Sequence, residues 1–395
     1  MNRARLLDLT RLVSRAGRAL TGVDRVELAY LRHISEDEGA DAFGLVRTSL
    51  GYLLLEREGL RAIRSAVEQD QWGRIDLLSR LNRRISPSDK LGQSLARRHA
   101  LSRSTHSGLS RLISSELPQR FVYINVGHSN LSQQSLQPFA AHPGAEIVVL
   151  VHDTIPLDFP EYQRPGSVAV FEDKLRLVAS YADRVIGTTR ASLASVRNHL
   201  ERLGRVPPLL PAVLGVEVPE PVELRFLKPP TRPYFVSVGT IEPRKNHSLL
   251  LDIWEAFDGA GPSLLICGHR GWANEAVFKR LDDGIQNVTE IAGLTDGEIA
   301  TLLKGSCGLL FPSFAEGFGF PPAEASALGV PVLCADLPAC REVLGKSSVY
   351  LDSADRYLWE KAIKTLANGK NLREQAPFKP PTWENHFRLV FSEAS

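Results

Sequence analysis

From residue 121 onward, short apolar runs alternate with amphipathic stretches. Phe121–Val126, Glu146–Val151 and Arg184–Thr188 read as buried strands, with helices over 171–182 and 191–201. Residues 205–233 are proline-rich and aperiodic, and mark a linker. A second series follows. Strands are predicted at Tyr234–Gly239, Ser263–Cys267, Val288–Ile291, Gly308–Phe311 and Pro331–Cys334. Helices are predicted over 246–257, 273–283, 296–304 and 322–328. Nearly continuous apolar strands separated by helices predict α/β architecture with parallel, doubly wound sheets, whose sites lie at the C-terminal strand ends.

The first third is less regular. A strand is expected around Leu6–Leu9, and Thr21 or Gly22 can open a helix carrying Val23, Val26, Leu28, Leu31 and Ile34. Residues 51–100 read as helical and basic. Ile75, Leu77, Leu78, Leu81 and Ile85 form one face, and Arg74, Arg80, Arg83 and Arg84 the other. Such a stretch is either a core-packing helix with a charged exterior or a surface that rests on an anionic membrane. Residues 102–119 are Ser-rich and read as a loop, and the tail PPTWENHFRLVFSEA reads as a terminal helix.

Length changes the picture little: 395 residues with 43% hydrophobic content suffice for two cores. A net charge of +2 argues against a dedicated nucleic-acid binder. The balance is uneven, with 21 Lys and Arg against 14 Asp and Glu in residues 1–120. Cys267, Cys307, Cys334 and Cys340 show no C-x-x-C spacing and read as reduced core residues. The opening residues are too often broken by arginine to resemble a signal peptide, and no apolar run is long enough to span a membrane; the expectation is a cytosolic chain.

The densest chemistry lies in FPSFAEGFGFPPAEASALGVPVLCAD, Phe311 to Asp336. Glu316 and Glu324 bracket a loop in which Gly317 and Gly319 permit close backbone approach to a ligand. Pro321 and Pro322 suit the first turn of a helix, whose free N–H groups can receive phosphate. A dipole-stabilising pair on a solvated face is the bland alternative for two such glutamates. In VGTIEPRKNH, Arg244 and Lys245 stand where a strand gives way to a helix, placed to meet phosphate oxygens, unless they are simply a solvated pair. His152 ends a strand in VHDTIP; a lone histidine there is catalytic or structural. No D-x-D occurs.

EGFGFPPAE resembles the E-x7-E signature of retaining family-4 glycosyltransferases (glycosyl transferases group 1) of GT-B fold, and VGTIEPRKNH resembles their G-x-x-x-x-R-K-G element. The resemblance implies two Rossmann-like domains facing across a cleft: residues 1–215 on the acceptor side, 216–372 binding a nucleotide sugar, and 373–395 crossing back as a helix. It further implies that Lys245 and Arg244 bind the donor diphosphate, with Thr240 where several members carry an arginine. Glu316 would hold hydroxyls of the transferred sugar and Glu324 those of the ribose. The amides from Gly317 through Phe318, Gly319 and Phe320 would face the sugar and diphosphate, and His152 would lie beneath the sugar. The doubled glycine of the family's first loop is replaced by Gly22 with Asp24 and Arg25. The implied reaction needs no metal and no cofactor. VHDTIPLDFPEY followed by VGTIEPRKN looks most like mannosyltransferases of bacterial surface-polysaccharide assembly, with GDP-mannose as donor and a glycan or lipid-linked saccharide as acceptor.

Overall fold

The computed structural model describes residues 3–225, 228–370 and 377–392. Two sheets organise them. The first takes its strands in the order β4-β3-β2-β1-β5-β6-β7-β8, where β1 is Ala4–Asp8, β2 Ala42–Thr48, β3 Gly51–Glu56, β4 Ala100–Ser104, β5 Phe121–Asn125, β6 Ala145–Val151, β7 Arg184–Gly187 and β8 Leu209–Pro211. It is parallel apart from the β2–β3 and β3–β4 pairs. The second has the order β11-β10-β9-β12-β13-β14 and is parallel throughout. Here β9 is Tyr234–Val238, β10 Ser263–Cys267, β11 Val288–Ile291, β12 Gly308–Phe311, β13 Val332–Ala335 and β14 Val349–Leu351. Strand order reverses between β9 and β12, and in the first sheet between β1 and β5. Crevices at such switch points are where open α/β sheets bind ligands.

Both sheets bury their centres completely. Leu7, Ile124, Val148 and Ile186 in the first, and Phe235, Val236, Leu264 and Leu309 in the second, are at most 1% exposed. Helices cover both faces, as the unbroken apolar strands require. Among the covering helices, Gly22–Glu36 begins with a reciprocal cap: Thr21 Oγ1 accepts the Asp24 N–H and Asp24 Oδ2 accepts the Thr21 N–H at 2.7 Å. The Trp383–Phe391 helix packs on it through Tyr30, whose hydroxyl lies 2.8 Å from His386 Nε2. Gly215 lets the chain pass here, because a Cβ on it would sit 2.4 Å from the Trp383 ring. The expected boundary at 372/373 lies outside the described residues.

Three expectations for the first third are corrected. Residues 51–56 are not helical but form β3, antiparallel to β2 with Val46 opposite Leu53. This run, GYLLLE, is buried on both faces, so it shows no strand alternation. The Ser-rich stretch 102–119 is not a loop; it completes β4 and forms the Leu109–Glu116 helix, which buries Leu109, Leu112 and Ile113. The leucines at 77, 78 and 81 do not face the core. They occupy a five-residue helix, Leu77–Leu81, and are 74%, 50% and 80% exposed. Its inward face is polar instead. Asp76 Oδ1 accepts the Ser79 N–H at 2.7 Å, and Arg97 Nε donates to Asp76 Oδ2 at 2.6 Å, which turns the leucines outward. Part of the expected linker also joins the fold, as β8 at Leu209–Pro211.

Candidate functional site

The switch point of the second sheet carries two loops. After β9, Gly239 (φ 141°) brings the chain close to the Lys245 stem, and Asn246 (φ 53°) breaks the backbone before the His247–Phe257 helix. Asn246 Nδ2 donates to Pro312 O at 3.3 Å, and Phe314 N donates to Arg244 O at 2.9 Å, so the two loops are tied to each other. Asparagine tolerates this left-handed conformation and its amide also makes the tie, which accounts for it at a position where the resembled motif has glycine.

The tie presents Arg244 and Lys245 to Glu316. Lys245 Nζ lies 2.6 Å from Glu316 Oε1, and Arg244 Nη1 lies 2.8 Å from the same oxygen. Arg244 also pairs with Glu242 at 2.7 Å and donates to Ala315 O at 2.7 Å. Burial by itself would raise the Glu316 pKa, but the charges of Arg244 and Lys245 outweigh it and hold the carboxylate at about 2. Burial, helped by the Arg244 charge, lowers the Lys245 pKa against the pull of Glu316. Glu316 is therefore ionised, and two cations share one carboxylate.

Past Glu316 the loop touches the first domain. A Cβ on Gly317 would sit 2.8 Å from His152 O and 2.9 Å from Asp153 Cβ, so only glycine fits. Thr188 Oγ1 lies 2.9 Å from His152 O and 3.1 Å from Gly317 O, and its one proton is shared between the two domains. Nearby, Glu342 accepts the Arg190 and Ala191 N–H groups at 2.8 and 3.1 Å, giving a carboxylate to the first turn of a facing helix. Tyr162 stacks on Phe314 at 5.3 Å. The cleft is closed over the loop.

His152 Nε2 lies 2.8 Å from Val126 O. Burial lowers its pKa to about 4, so the ring is neutral, Nε2 carries the hydrogen that it donates to Val126, and Nδ1 is an acceptor. Asp153 beside it accepts the Ile155 N–H at 3.1 Å; burial raises its pKa while Arg244 pulls the other way.

Gly319 (φ 88°) precedes the Phe320–Ala327 helix, with Pro321 and Pro322 in its first turn. Glu324 is 8% exposed and is not free: it forms an ion pair with Arg25 from the first domain. The Arg25 guanidinium sits 4.9 Å over the Phe320 ring, whose own neighbour is Phe318 at 4.8 Å. A cavity of about 260 Å³ opens beside this pair, lined by Arg25, Phe320, Asp296, Glu217 and Trp383 among others.

The structure thus gathers Arg244 and Lys245 on Glu316, brings Gly317 against the His152 backbone, and continues through Phe318, Gly319 and Phe320 to Glu324. Thr240 is exposed, with its methyl leaning toward Gly271. Sequence reasoning did not reach Thr188, Glu242, Glu342 or the pairing of Arg25 with Glu324. Only Arg25 carried a signal, next to Gly22 in the first loop.

Two facing Rossmann-like domains with this cleft define a GT-B protein. The same architecture is seen in sucrose-phosphate synthase from Thermosynechococcus elongatus, with a TM-score of 0.57 and 14% identity over 98% of this chain and 94% of that one. Residues 224–377 match the model of glycosyl transferases group 1. Homologous proteins include the serotype-specific mannosyltransferase WbdA of Escherichia coli, 28% identical over 227 residues, which are 52% of this chain and 28% of the relative. The O-antigen chain mannosyltransferase RfbU of Salmonella typhimurium is 30% identical over 134 residues, 34% of this chain and 38% of the relative. The chain therefore spans under a third of the length of WbdA.

Proposed function

We propose that this protein is a retaining glycosyltransferase that moves a hexose, mannose from GDP-mannose, to a hydroxyl of a glycan or lipid-linked saccharide in surface-polysaccharide assembly. The observation that carries the reading is the convergence of Arg244 and Lys245 on Glu316 at the switch point of the second sheet, opposite His152. The donor diphosphate takes the two cations from Glu316, and their charge stabilises the leaving group without a metal. Released, the Glu316 carboxylate accepts hydrogen bonds from the sugar, and His152 Nδ1 accepts from another hydroxyl. Glu324 exchanges Arg25 for the ribose, with the adjacent cavity as room for the nucleoside. The acceptor oxygen bonds to the anomeric carbon on the face from which the diphosphate departs, and its proton passes to the departing phosphate oxygen. The names of WbdA and RfbU support mannose.

Peripheral contact with an anionic membrane belongs to the same reading. Among the described residues no helix is long and apolar enough to cross a membrane. Leu50, Leu77, Leu78 and Leu81 are 50–80% exposed, and Arg74, Arg80, Arg83 and Arg84 beside them are exposed and have no ion-pair partner among the described residues. Asn82 Nδ2 donates to Ser49 Oγ at 3.0 Å, which joins the Leu50 turn to the leucine helix as one patch. Apolar side chains ringed by guanidinium groups fit a lipid surface with acidic headgroups.

The test is product formation from GDP-mannose, alongside a thermal-shift panel of GDP, UDP, dTDP and ADP with their sugars in the absence of metal. Stabilisation by GDP and turnover lost in Glu316→Ala and Lys245→Ala support the proposal. Preference for UDP or dTDP replaces the donor, and binding without turnover makes the protein a scaffold.

A further inference from the structure

The β5–β6 ladder ends with Asn125 opposite Val149, and His128 and His152 occupy matching positions past that pair. Each histidine reaches back to the other strand. His128 Nε2 lies 2.6 Å from Leu150 O, and His152 Nε2 lies 2.8 Å from Val126 O. A carbonyl oxygen only accepts, so both Nε2 atoms carry a hydrogen. Burial lowers the pKa of His152 to about 4 and, helped by the His152 charge, that of His128 to about 3. Both rings are neutral, and each keeps Nδ1 as an acceptor. They meet edge-on, with centroids 5.4 Å apart.

His128 is held at φ 56°, a conformation that costs a non-glycine residue free energy and persists only where the surroundings impose it. Those surroundings reach back to β1. Asn125 Oδ1 accepts the His128 N–H at 3.0 Å. Asn125 is itself fully buried; its Nδ2 donates to the Tyr123 hydroxyl at 3.1 Å, which donates to Asp8 Oδ2 at 2.8 Å. A Cβ on Gly127 would sit 2.2 Å from Glu27 Oε2 and 2.9 Å from Arg11 Cβ, so the residue before His128 is pressed against both. On the other strand the His128 ring grips Leu150, just before the residue whose side chain is assigned to the sugar. Strain of this kind gathers at functional sites, and the side chain that gains from it here is His152. With Nε2–H on Val126 O, the His152 ring can offer a ligand nothing but the Nδ1 lone pair.

We infer that His128 is a positioning residue for His152: it clamps the ends of β5 and β6 together, so that His152 keeps its Nε2–H on Val126 O and presents Nδ1, as an acceptor, to a hydroxyl of the transferred sugar. This rests on the glycosyl-transfer reading for the identity of the hydroxyl. The clamp and the tautomer it selects do not depend on that reading.

The experiment follows the His152 ring by NMR of labelled histidine nitrogens in the full chain, beside a steady-state assay of transfer from GDP-mannose. Wild type should show His152 as a single tautomer, protonated at Nε2. His128→Asn tolerates positive φ, but its amide is too short to reach Leu150 O. In that variant the His152 nitrogens should average toward a mixture of both tautomers. Its kcat should fall roughly tenfold or more while KM for GDP-mannose stays as it was. His128→Gln, whose amide reaches about as far as the Nε2 atom, should restore the single tautomer and most of the kcat. His128→Gly removes the ring with the backbone relaxed and should behave as His128→Asn does, which separates a lost clamp from a lost fold. His152 nitrogens unmoved by loss of the His128 ring, or an unmoved kcat in an active enzyme, overturn the inference. A His152 tautomer that depends on His128 in a protein that transfers no sugar overturns the glycosyl-transfer reading alone.

Discussion

Lys245 Nζ and Glu316 Oε1 are 2.6 Å apart, and Arg244 reaches the same oxygen. A residue expected to hold sugar hydroxyls thus neutralises the cations expected to hold phosphate. Replacing the carboxylate by its uncharged isostere should therefore split binding from transfer. In Glu316→Gln, GDP should bind several-fold more tightly, because Arg244 and Lys245 no longer have to leave an anion. Transfer should fall by roughly 10- to 100-fold or more, given about 1.5–3 kcal/mol for a charged hydrogen bond. Titration with GDP and a steady-state assay measure the two; weaker GDP binding would count against the competition.

Arg25 and Glu324 join the domains across the cleft mouth. Arg25→Glu puts two carboxylates together in a setting where burial already raises the Glu324 pKa against the pull of Arg25. The domains should separate, with a larger radius of gyration in small-angle scattering of the ligand-free protein. Adding Glu324→Arg should restore the compact form. An unchanged scattering profile in the single variant would show that the contacts of Gly317 and Glu342 suffice to hold the cleft shut.

The leucine–arginine patch gives a test independent of the cleft. Leu77→Ser with Leu81→Ser, or Arg80, Arg83 and Arg84 changed to Glu, should abolish co-sedimentation with anionic vesicles while leaving GDP affinity as it was. Wild-type protein that does not sediment with such vesicles at low salt would remove membrane contact from the proposal.

Acid should weaken the fold through its buried histidines. Burial lowers the pKa values of His152, His247 and His386 to about 4 and, with the help of the His152 charge, that of His128 to about 3. An unfolded histidine takes its proton near pH 6.5. Between that value and about 4 the unfolded chain binds more protons, so this contribution to stability declines as pH falls. Glu316 acts below it: its folded pKa of about 2 lies under the ordinary 4.5, and its contribution is lost as pH drops through that interval. Asp8 and Glu27, raised by burial, act with the opposite sign. The histidine share is isolated with His247→Asn, since Nδ1 of that ring has no partner. The variant should lose less denaturant resistance than wild type between pH 7 and 5.

Much of the second domain could be read from its sequence. There each strand is a closed apolar run, each helix has a period of its own, and the site residues lie within a few positions of a strand end. The glycines and prolines of the loop from Pro312 to Gly319 are of this kind, although its ties to Arg244 and Asn246 and its contact with His152 are long-range. The first domain was harder. β3 hides its alternation by being buried on both faces, and the Leu77–Leu81 helix imitates a core helix although its inward face is held by Asp76 and Arg97.

By itself the sequence determined most of the alternating strands and helices from residue 121 onward and the candidacy of Arg244, Lys245, Glu316 and Glu324. All of these follow from hydrophobic period, glycine, proline and cap chemistry acting over a few residues. Only the tertiary structure decided that Glu316 already occupies both cations and that Arg25 pairs with Glu324 across the two domains. Charge pairing depends on distances between residues tens to hundreds of positions apart, and those distances exist only once the sheets have assembled and the two domains face each other.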